Sequence, residues 1–347
     1  MSEYAISQVY PSDKNALAQI DGLLAAEGIR RDAHLDYTCA MYDDELRIIA
    51  TGSCFGNTLR CLAVSHSHQG EGLLNRIVSH LMEVQYARGN VHLFLYTKIN
   101  TARFFKDLGF YEIARVDGRL VFMENRRTGF ADYLKALSAF KRPVRSAALV
   151  MNANPFTLGH QYLAEKAAAG CGCLHIFIVS EDASLIPFSV RKRLVMEGVK
   201  HLDNVVCHDS GPYIISNATF PSYFLKDEDQ VIESHARLDL AVFTKIAERL
   251  NVSKRYVGEE PASHVTAIYN CLMSEELPTA GIECVILPRK QWDGKAISAS
   301  DVRKALQEDN FELLKHLLPK TSLDYFMSSE ARAVIEKIKG AGDVVHY

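Results

Sequence analysis

The sequence predicts an α/β protein of two domains, and three observations support this. After residue 146, apolar runs alternate with helical patterns, which is typical of a doubly wound parallel sheet. A basic, partly helical segment separates that region from a stretch of short strands and helices before it. At 347 residues, the chain is long enough to form two hydrophobic cores. We therefore expect a first domain at 1–130, a connector at 131–145, a second domain at 146–330 and a C-terminal tail at 331–347.

The individual strands and helices follow from the apolar pattern in chain order. In the first domain, short apolar runs predict strands at 47–50, 60–64 and 91–96. In the second domain, strands and helices are expected in alternation: a strand at 147–151, a helix from Gly159, a strand at 175–179, a helix from Ser189 and a strand at 204–208. Ligands of such sheets bind at the carboxyl ends of the strands, so the functional residues are expected there.

Composition and charge exclude several classes of partner. The chain is 48% hydrophobic and 23% charged, as globular proteins are. A formal net charge of −3 gives no electrostatic reason to expect nucleic acid or an anionic membrane as a partner. The first residues, MSEYAISQVYPSDKN, lack the pattern of a signal peptide, and no apolar stretch reaches the roughly 18 residues of a membrane span. We expect a cytoplasmic protein.

The eight cysteines predict no disulfide framework and no metal centre. They are scattered inside apolar segments, where reduced and buried thiols are the usual state. Cys171 and Cys173 form a Cys-Gly-Cys step, but no second pair stands at the spacing of a zinc site. We expect reduced thiols and no metal ligands from the protein.

The segment 152–160, which reads NANPFTLGH, lies where the first strand of the second domain turns into a helix. A helix N-terminus exposes unpaired N–H groups and the positive end of the helix dipole, so it binds phosphate well. Gly159 would let a phosphate approach the backbone, and His160 would face the crevice from the first helical turn. Taken alone, the segment is explained equally well by Thr157 as a simple N-cap and His160 as a surface histidine.

A second segment, 297–303, reads ISASDVR and again places small residues before a helix. Ser298 and Ser300 offer hydroxyls at the helix start, and Arg303 can fork onto phosphate oxygens one turn later. Serine caps are common, so this segment is also weak alone. Together, the two segments resemble the paired motifs of the nucleotidyltransferase superfamily, (H/T)-x-G-H and I-S-x-S-x-x-R. That resemblance implies a Rossmann-like domain with a nucleoside triphosphate site.

The resemblance narrows further when other phrases are included. Five segments together are similar to the citrate lyase ligase family: Asn152 to His160, Ser180 to Asp182, Tyr256 to Pro261, Thr266 to Asn270 and Leu287 to Arg289. In that family an acetyltransferase-like domain precedes the nucleotidyltransferase domain. The resemblance covers nearly the whole chain, except the connector and the last residues.

The first domain contains a strand, then Gly70-Glu-Gly72, then a helix with one apolar face. This resembles the loop of GNAT acetyltransferases, whose backbone N–H groups hold the diphosphate of coenzyme A. Residues 100–110 look like the following GNAT helix and turn. Read without the resemblance, Gly-x-Gly before a helix is often only a tight turn, and a decayed structural domain stays possible.

Two positions depart from the GNAT pattern. Ser67 stands where the family usually has Arg or Gln, three residues before the first loop glycine. Phe105 stands where a tyrosine often protonates the leaving coenzyme A thiolate. The first domain is therefore expected to bind a coenzyme-A-like group without the ordinary acetyl-coenzyme A chemistry.

The resemblance implies a ligase reaction in two halves. ATP, arriving with Mg²⁺, and acetate would form acetyl-AMP and pyrophosphate in the second domain. Acetyl-AMP would then acylate the thiol of the coenzyme-A-derived prosthetic group on the acyl-carrier subunit of citrate lyase. The implied catalytic residues are His160 and Thr157, and Gly70 and Gly72 would hold the prosthetic group. The implied ATP-binding residues are Asn152, Asn154, Phe156, Gly159, Arg289, Ser298, Ser300 and Arg303.

Two other functions remain open from the sequence. The first is an adenylyltransferase that joins ATP to a phosphorylated acceptor, as in coenzyme A or NAD synthesis, with a coenzyme-A-sensing front domain. It needs a second phosphate-binding set, which Arg191, Lys192 and Arg193 could supply. The second is a non-catalytic nucleotide- or coenzyme-A-binding regulator, which would have no need of His160.

Overall fold

The computed structural model describes residues 4–32, 34–180, 184–214, 220, 228–259 and 264–341. The chain forms two compact units: Met1–Asp132 with Pro221–Ala241, and Tyr133–Phe220 with Val242–Tyr347. We call them unit 1 and unit 2. Within the described ranges, no helix is both long enough and apolar enough to cross a membrane.

Unit 1 is built on a mixed seven-stranded sheet. Its elements are β1 (Ile6–Gln8), α1 (Lys14–Ala26), β2 (Tyr37–Tyr42), β3 (Ile48–Phe55), β4 (Thr58–Val64), α2 (Leu73–Ala87), β5 (Phe94–Thr97), α3 (Ala102–Asp107), β6 (Tyr111–Val116) and β7 (Leu120–Glu124). The strand order is β1-β2-β3-β4-β5-β7-β6, and β4 and β5 are the parallel pair in it. The apolar face of α2 packs on this sheet through Leu73, Ile77, Val78 and Leu81.

Unit 2 is built on a parallel five-stranded sheet and is rich in helices. Its elements run β8 (Ser146–Met151), α5 (Leu158–Ala169), β9 (Cys173–Ile178), α6 (Phe188–Gly198), β10 (Val205–Asp209), β11 (Val252–Gly258), α8 (His264–Thr279), β12 (Glu283–Leu287), β13 (Gln291–Trp292), β14 (Lys295–Ala296), α9 (Ala299–Gln307), α10 (Phe311–Leu317), α11 (Lys320–Met327) and α12 (Arg332–Gly340). Two further helices, α4 (Gly129–Ser138) and α7 (Glu228–Leu250), contribute residues to both units.

The parallel sheet of unit 2 has the order β10-β9-β8-β11-β12. The chain starts in the middle strand, moves outward to one side through β9 and β10, and then returns to the other side at β11. The order therefore reverses between β8 and β11, and the crevice at such a reversal is where ligands of doubly wound sheets bind. The apolar sequence of β8, SAALVM, is buried on both faces, as a central parallel strand requires.

The predicted α/β class is confirmed, and each strand and helix predicted from the apolar pattern has a counterpart within a few residues. Residues 332–340, which the sequence placed in a C-terminal tail, form α12. Its Val334 and Ile338 are buried in the core of unit 2. The predicted domain boundaries stay predictions.

A buried pair of histidines joins two strands of the parallel sheet. Nδ1 of His175 in β9 lies 2.9 Å from Nε2 of His208 in β10. Burial lowers the pKa of both histidines to about 4, with a further contribution from Arg142 at His175 and from His175 at His208. Both imidazoles are therefore neutral in the folded protein near pH 7.

This pair predicts a loss of stability in mild acid. Below the usual histidine pKa of about 6.5, both histidines are protonated in the unfolded chain but stay neutral in the folded chain. The free energy of unfolding therefore falls by about 2 kcal/mol for each histidine when the pH is lowered from 7.5 to 5. The double variant His175→Asn with His208→Gln should lose less over the same range. Urea unfolding at the two pH values measures this, with exposed His201→Gln as the control. Equal losses in the double variant and the parent chain would contradict the assignment.

Candidate functional site

Thr157 ends the loop after β8 and caps α5. Its backbone is extended, and its Oγ1 accepts the N–H of His160 at 3.3 Å. In return, Nδ1 of His160 accepts the N–H of Thr157 at 3.1 Å and lies 2.8 Å from the threonine Oγ1. The two residues therefore satisfy each other's backbone groups, as in a capping box. Thr157 is 1% exposed, so its hydroxyl serves to hold the imidazole in place.

The hydrogen bonds of His160 fix which ring nitrogen carries the proton. Because Nδ1 accepts a backbone N–H, the proton of the neutral ring lies on Nε2. Burial and, to a smaller extent, the positive charge of Arg289 lower the pKa of His160 to about 4. At neutral pH, His160 is therefore an uncharged hydrogen-bond donor through Nε2.

Phe156 packs against one face of the His160 ring. The two rings stack with 5.8 Å between centroids and 23° between planes. Phe156 has no exposed surface and packs against Gly198, where even a Cβ atom would come within 2.2 Å of the phenyl ring. The sequence assigned Phe156 to ATP binding; its buried ring makes it a support for His160.

The two motif segments touch each other at Gly159. A Cβ atom at this position would lie 3.1 Å from the carbonyl oxygen of Ile297, so a side chain would crowd the backbone of the second segment. Within the described residues, the N–H groups of Leu158 and Gly159 have no hydrogen-bond acceptor. The start of α5 therefore presents two open backbone donors beside residue 297.

The second segment repeats this arrangement at the start of α9. Ser298 is the N-cap; its Oγ accepts the N–H of Asp301 at 3.0 Å and donates to Asp301 Oδ2 at 2.7 Å. Over the described part of the chain, the N–H groups of Ala299 and Ser300 have no acceptor. Two helix starts with open N–H groups thus lie side by side, which is a favourable arrangement for a polyanion.

Arg303 ties the two segments together. Its Nη1 donates to the carbonyl oxygen of Asn154 at 2.6 Å, and its Nη2 donates to Ser300 Oγ at 2.9 Å. The residue is 7% exposed. The sequence assigned Arg303 to the triphosphate; the contacts give it a second task, because the same guanidinium sets the distance between the loop after β8 and the start of α9.

Arg303→Lys is expected to weaken ATP binding by about tenfold or more, since a lysine cannot make both bonds at once. The Michaelis constant for ATP should rise while that for acetate changes less. Exposed Arg332→Lys is the control for the same exchange elsewhere in unit 2. An unchanged Michaelis constant for ATP would contradict the expectation that Arg303 binds the triphosphate.

The two asparagines of the first segment differ in their free polar groups. Asn152 is engaged with the protein, because its Oδ1 accepts from Arg191 at 2.7 Å and its Nδ2 donates to Ser184 at 3.1 Å. Asn154 is 4% exposed, and its Oδ1 accepts the N–H of Ile186 at 3.1 Å. Its Nδ2 is buried without a partner among the described residues. A buried amide donor of this kind is costly unless something binds it.

The family model described as the citrate lyase ligase C-terminal domain matches residues 146–326. The [citrate [pro-3S]-lyase] ligase of Klebsiella pneumoniae is 37% identical over 321 residues, which cover 91% of this chain and 94% of that protein. The protein of the same name from Escherichia coli K12 is 36% identical over 329 residues, covering 93% of each chain. This chain belongs to the citrate lyase ligase family.

Among solved structures, this citrate lyase ligase family member is similar to Escherichia coli ElaA. That match has 14% sequence identity and covers 35% of this chain and 99% of that one. Its TM-score is 0.31, which is too low to bear on the fold or the function.

The loop between β4 and α2 of this family member has left-handed backbone at both of its glycines. Gly70 and Gly72 have φ angles of +89° and +76°, in the left-handed region, and Gly72 is the residue before α2. The parallel pairing of β4 with β5 is limited to Thr58 with Phe94 and Leu59 with Leu95. Beyond Leu59, β4 continues to Val64 without pairing to β5. The two strands therefore separate toward the carboxyl end of β4, which leads into the glycine loop.

The two residues that depart from the GNAT pattern differ in their exposure to solvent. Phe105 is 4% exposed and packs in the apolar core of unit 1. Ser67 is exposed, and its hydroxyl lies 2.9 Å from Nδ1 of His68. Neither residue supplies the hydroxyl or the long polar side chain usual at its position.

The basic run at the start of α6 is bound within the protein. Arg191 has no exposed surface and donates to the carbonyl oxygens of Ile186, Asn152 and Val179. Lys192 pairs with Asp209 at 2.8 Å, and Arg193 pairs with Glu330 at 2.8 Å. Four residues of the family-like segments quoted from the sequence lie outside the described residues: Glu181, Asp182, Glu260 and Pro261.

Sequence reasoning missed several residues that shape the site. The hairpin β13–β14 was not predicted, although its Asp-Gly turn at 293–294 is a standard hairpin signal. The bonds of Arg303 to Asn154 and of Arg191 to Asn152 had no sequence signal, because these partners lie far apart in the chain. The contribution of Arg303 and Arg191 to the shape of the site depends on those bonds.

Proposed function

We propose that this protein activates acetate with ATP and acetylates the thiol of the coenzyme-A-derived prosthetic group on the acyl-carrier subunit of citrate lyase. Acetate, ATP and the carrier thiol would give the acetyl thioester, AMP and pyrophosphate. The observation that supports the nucleotide half is the pair of helix starts with open N–H groups at the carboxyl edge of a parallel sheet. The curated relatives that share 36–37% of its residues carry the name of this ligase.

In the first half-reaction, a carboxylate oxygen of acetate attacks the α-phosphorus of ATP, and the bond from that phosphorus to pyrophosphate breaks. His160 would donate from Nε2 to an α-phosphoryl oxygen while staying neutral. The open N–H groups at the start of α5 would face the same phosphate, and those at the start of α9 would bind the β- and γ-phosphates. Arg289, whose charge reaches His160, would offset the growing negative charge. No covalent enzyme intermediate is needed, since positioning and charge stabilisation suffice.

The groups at this site suit phosphate oxygens. They are backbone N–H groups, an imidazole N–H and a guanidinium, all of which donate hydrogen bonds. We propose that Mg²⁺ enters bound to ATP, whose phosphates supply oxygen ligands of the kind that this ion prefers. The hydrogen-bond donors of the protein would then stabilise the part of the negative phosphate charge that Mg²⁺ does not neutralise.

In the second half-reaction, the carrier thiolate attacks the acetyl carbonyl carbon, and the bond from that carbon to the AMP phosphate breaks. The thiol proton goes to solvent, and AMP leaves as a phosphate anion that needs no proton. Phe105, which has no hydroxyl to give, is compatible with such a leaving group. We propose that the left-handed glycines at 70 and 72 hold the diphosphate of the prosthetic group on their backbone N–H groups.

The two other functions have less support. An adenylyltransferase for a phosphorylated acceptor needs a second set of free cations near His160. Arg191, Lys192 and Arg193 were the candidates, and each is bound to other groups of the protein. A non-catalytic regulator gives no reason for Thr157 to hold the Nε2–H of His160 at the mouth of the site.

Exchange of labelled pyrophosphate into ATP tests the proposal. With acetate and MgATP but without citrate lyase, the protein should catalyse exchange, because acetyl-AMP forms reversibly. The adenylyltransferase would exchange only when its phosphorylated acceptor is added. A regulator would show no exchange under any condition. Absence of acetate-dependent exchange in a folded protein that binds ATP would therefore overturn the proposed adenylation.

A further inference from the structure

The caps of α5 and α9 have the same design but differ in charge. In each, the hydroxyl of the N-cap residue bonds to the third residue of the helix. In α5 that residue is His160, which is neutral. In α9 it is Asp301, whose carboxylate accepts a hydrogen bond from the hydroxyl of Ser298, with 2.7 Å between the two oxygens. A negative charge therefore lies at the start of the helix whose N–H groups are proposed to bind phosphates.

Lys295 lies where it offsets this charge. Its Nζ is 2.6 Å from Oδ1 of Asp301, on the oxygen that Ser298 does not use. The lysine side chain is 74% exposed, so the pair needs support to hold one geometry. That support is the hairpin β13–β14, in which Lys295 pairs with Trp292 across the strands. Trp292 in turn stacks on His316 of α10, with 4.6 Å between centroids and 16° between planes.

The hairpin is also fixed to the site itself. The N–H of Ile297 donates to the carbonyl oxygen of Lys290 at 3.0 Å, which closes the base of the hairpin. The carbonyl of the same Ile297 is the group that Gly159 approaches. The position of Lys295 is thus set by the backbone that joins the two helix starts.

We infer that Lys295 is a positioning residue for the triphosphate, acting through Asp301. Asp301 holds the hydroxyl of Ser298 and thereby orients the start of α9. Lys295 neutralises the negative charge that the Asp301 carboxylate brings to the phosphate site. The inference rests on the proposed ATP site. Lys304, one turn further along α9, is the second cation whose charge reaches Asp301, but its Nζ lies 3.9 Å from Glu308, which shares it.

A double-mutant cycle tests the inference. Lys295→Met removes the cation nearest to the Asp301 carboxylate, so the Michaelis constant and the dissociation constant for MgATP should rise about tenfold at low salt, with kcat changed less than about twofold. Asp301→Asn removes the charge but keeps an amide oxygen that can accept from Ser298, so its own defect should be smaller than that of Lys295→Met. The double variant should return to the value of Asp301→Asn, because the lysine then has no charge to cancel.

The control is another exposed lysine–aspartate ion pair with a similar distance, in a helix outside the proposed site. Lys320 lies 2.7 Å from Asp324 in α11 and has an 85% exposed side chain, so Lys320→Met should change neither constant. Raising the salt concentration should reduce the defect of Lys295→Met, which a loss of folding would not do.

Two results would overturn the inference. If the double variant is as impaired as Lys295→Met alone, the lysine contacts ATP itself and does not act through Asp301. If Lys295→Met binds MgATP like the parent chain, the charge has no effect. Failure of the proposed function looks different: the parent chain then binds MgATP without acetate-dependent exchange, and the cycle is still read from dissociation constants. A parent chain that binds no MgATP overturns both.

Discussion

His160→Ala is expected to lower the rate of acetyl-AMP formation by about 10²–10³. The ring is held by Thr157 so that Nε2–H points away from its own cap, and a preorganised donor of this kind acts most strongly where charge develops. The change should appear in kcat for acetate-dependent pyrophosphate exchange. Exposed His201→Ala is the matched control in the same unit. A His160→Ala rate within threefold of the parent would remove His160 from the mechanism.

The protonation state of His160 sharpens this test. Because burial lowers its pKa to about 4, the donor form is the neutral one, and it is complete at every pH above about 5. Exchange activity should therefore show no inflection near pH 6.5 that disappears in His160→Ala. An inflection there that the variant abolishes would mean that His160 titrates near its ordinary pKa, and a rate that falls as the pH rises through it would make the charged imidazole the active form.

The parts of the site that the sequence could predict are those carried by local chemistry. Gly159 lies in the first turn of a helix that follows an apolar strand, and Ser298 caps another helix; both signals depend on adjacent residues. The left-handed conformations of Gly70 and Gly72 are predictable for the same reason, since few other residues tolerate them. Parallel pairing of the strands follows from their alternation with helices.

The parts that could not be predicted depend on contacts between distant residues. Arg303 was expected to bind phosphate, yet both of its Nη atoms also bond to protein oxygens. Phe156 follows Asn-Pro in a motif, but its burial is decided by Gly198, which belongs to another helix. Likewise, nothing in the local sequence assigns residues 221–241 to unit 1. Such partners are fixed only when the elements have packed.

Replacing Gly70 and Gly72 together with valine is expected to abolish acetylation of the carrier while leaving acetyl-AMP formation intact. Both glycines have positive φ angles, which β-branched residues strongly resist, and open space surrounds both positions. The damage is therefore to the direction of the loop N–H groups, with no clash in the core. The first half-reaction is proposed to use only unit 2, so pyrophosphate exchange should stay at the level of the parent chain.

The matched control is Gly118→Val, a glycine of unit 1 with a φ of +72° and equally open surroundings, but in the turn between β6 and β7. It carries the same kind of backbone strain and should acetylate the carrier normally once melting temperatures show that all variants are folded. His160→Ala should give the opposite result to the double valine variant: no exchange, but acetylation of the carrier from supplied acetyl-AMP. Because the two variants fail in different halves, a general loss of folding cannot produce both results. If the double valine variant acetylates the carrier at the parent rate, the prosthetic group binds elsewhere than on this loop.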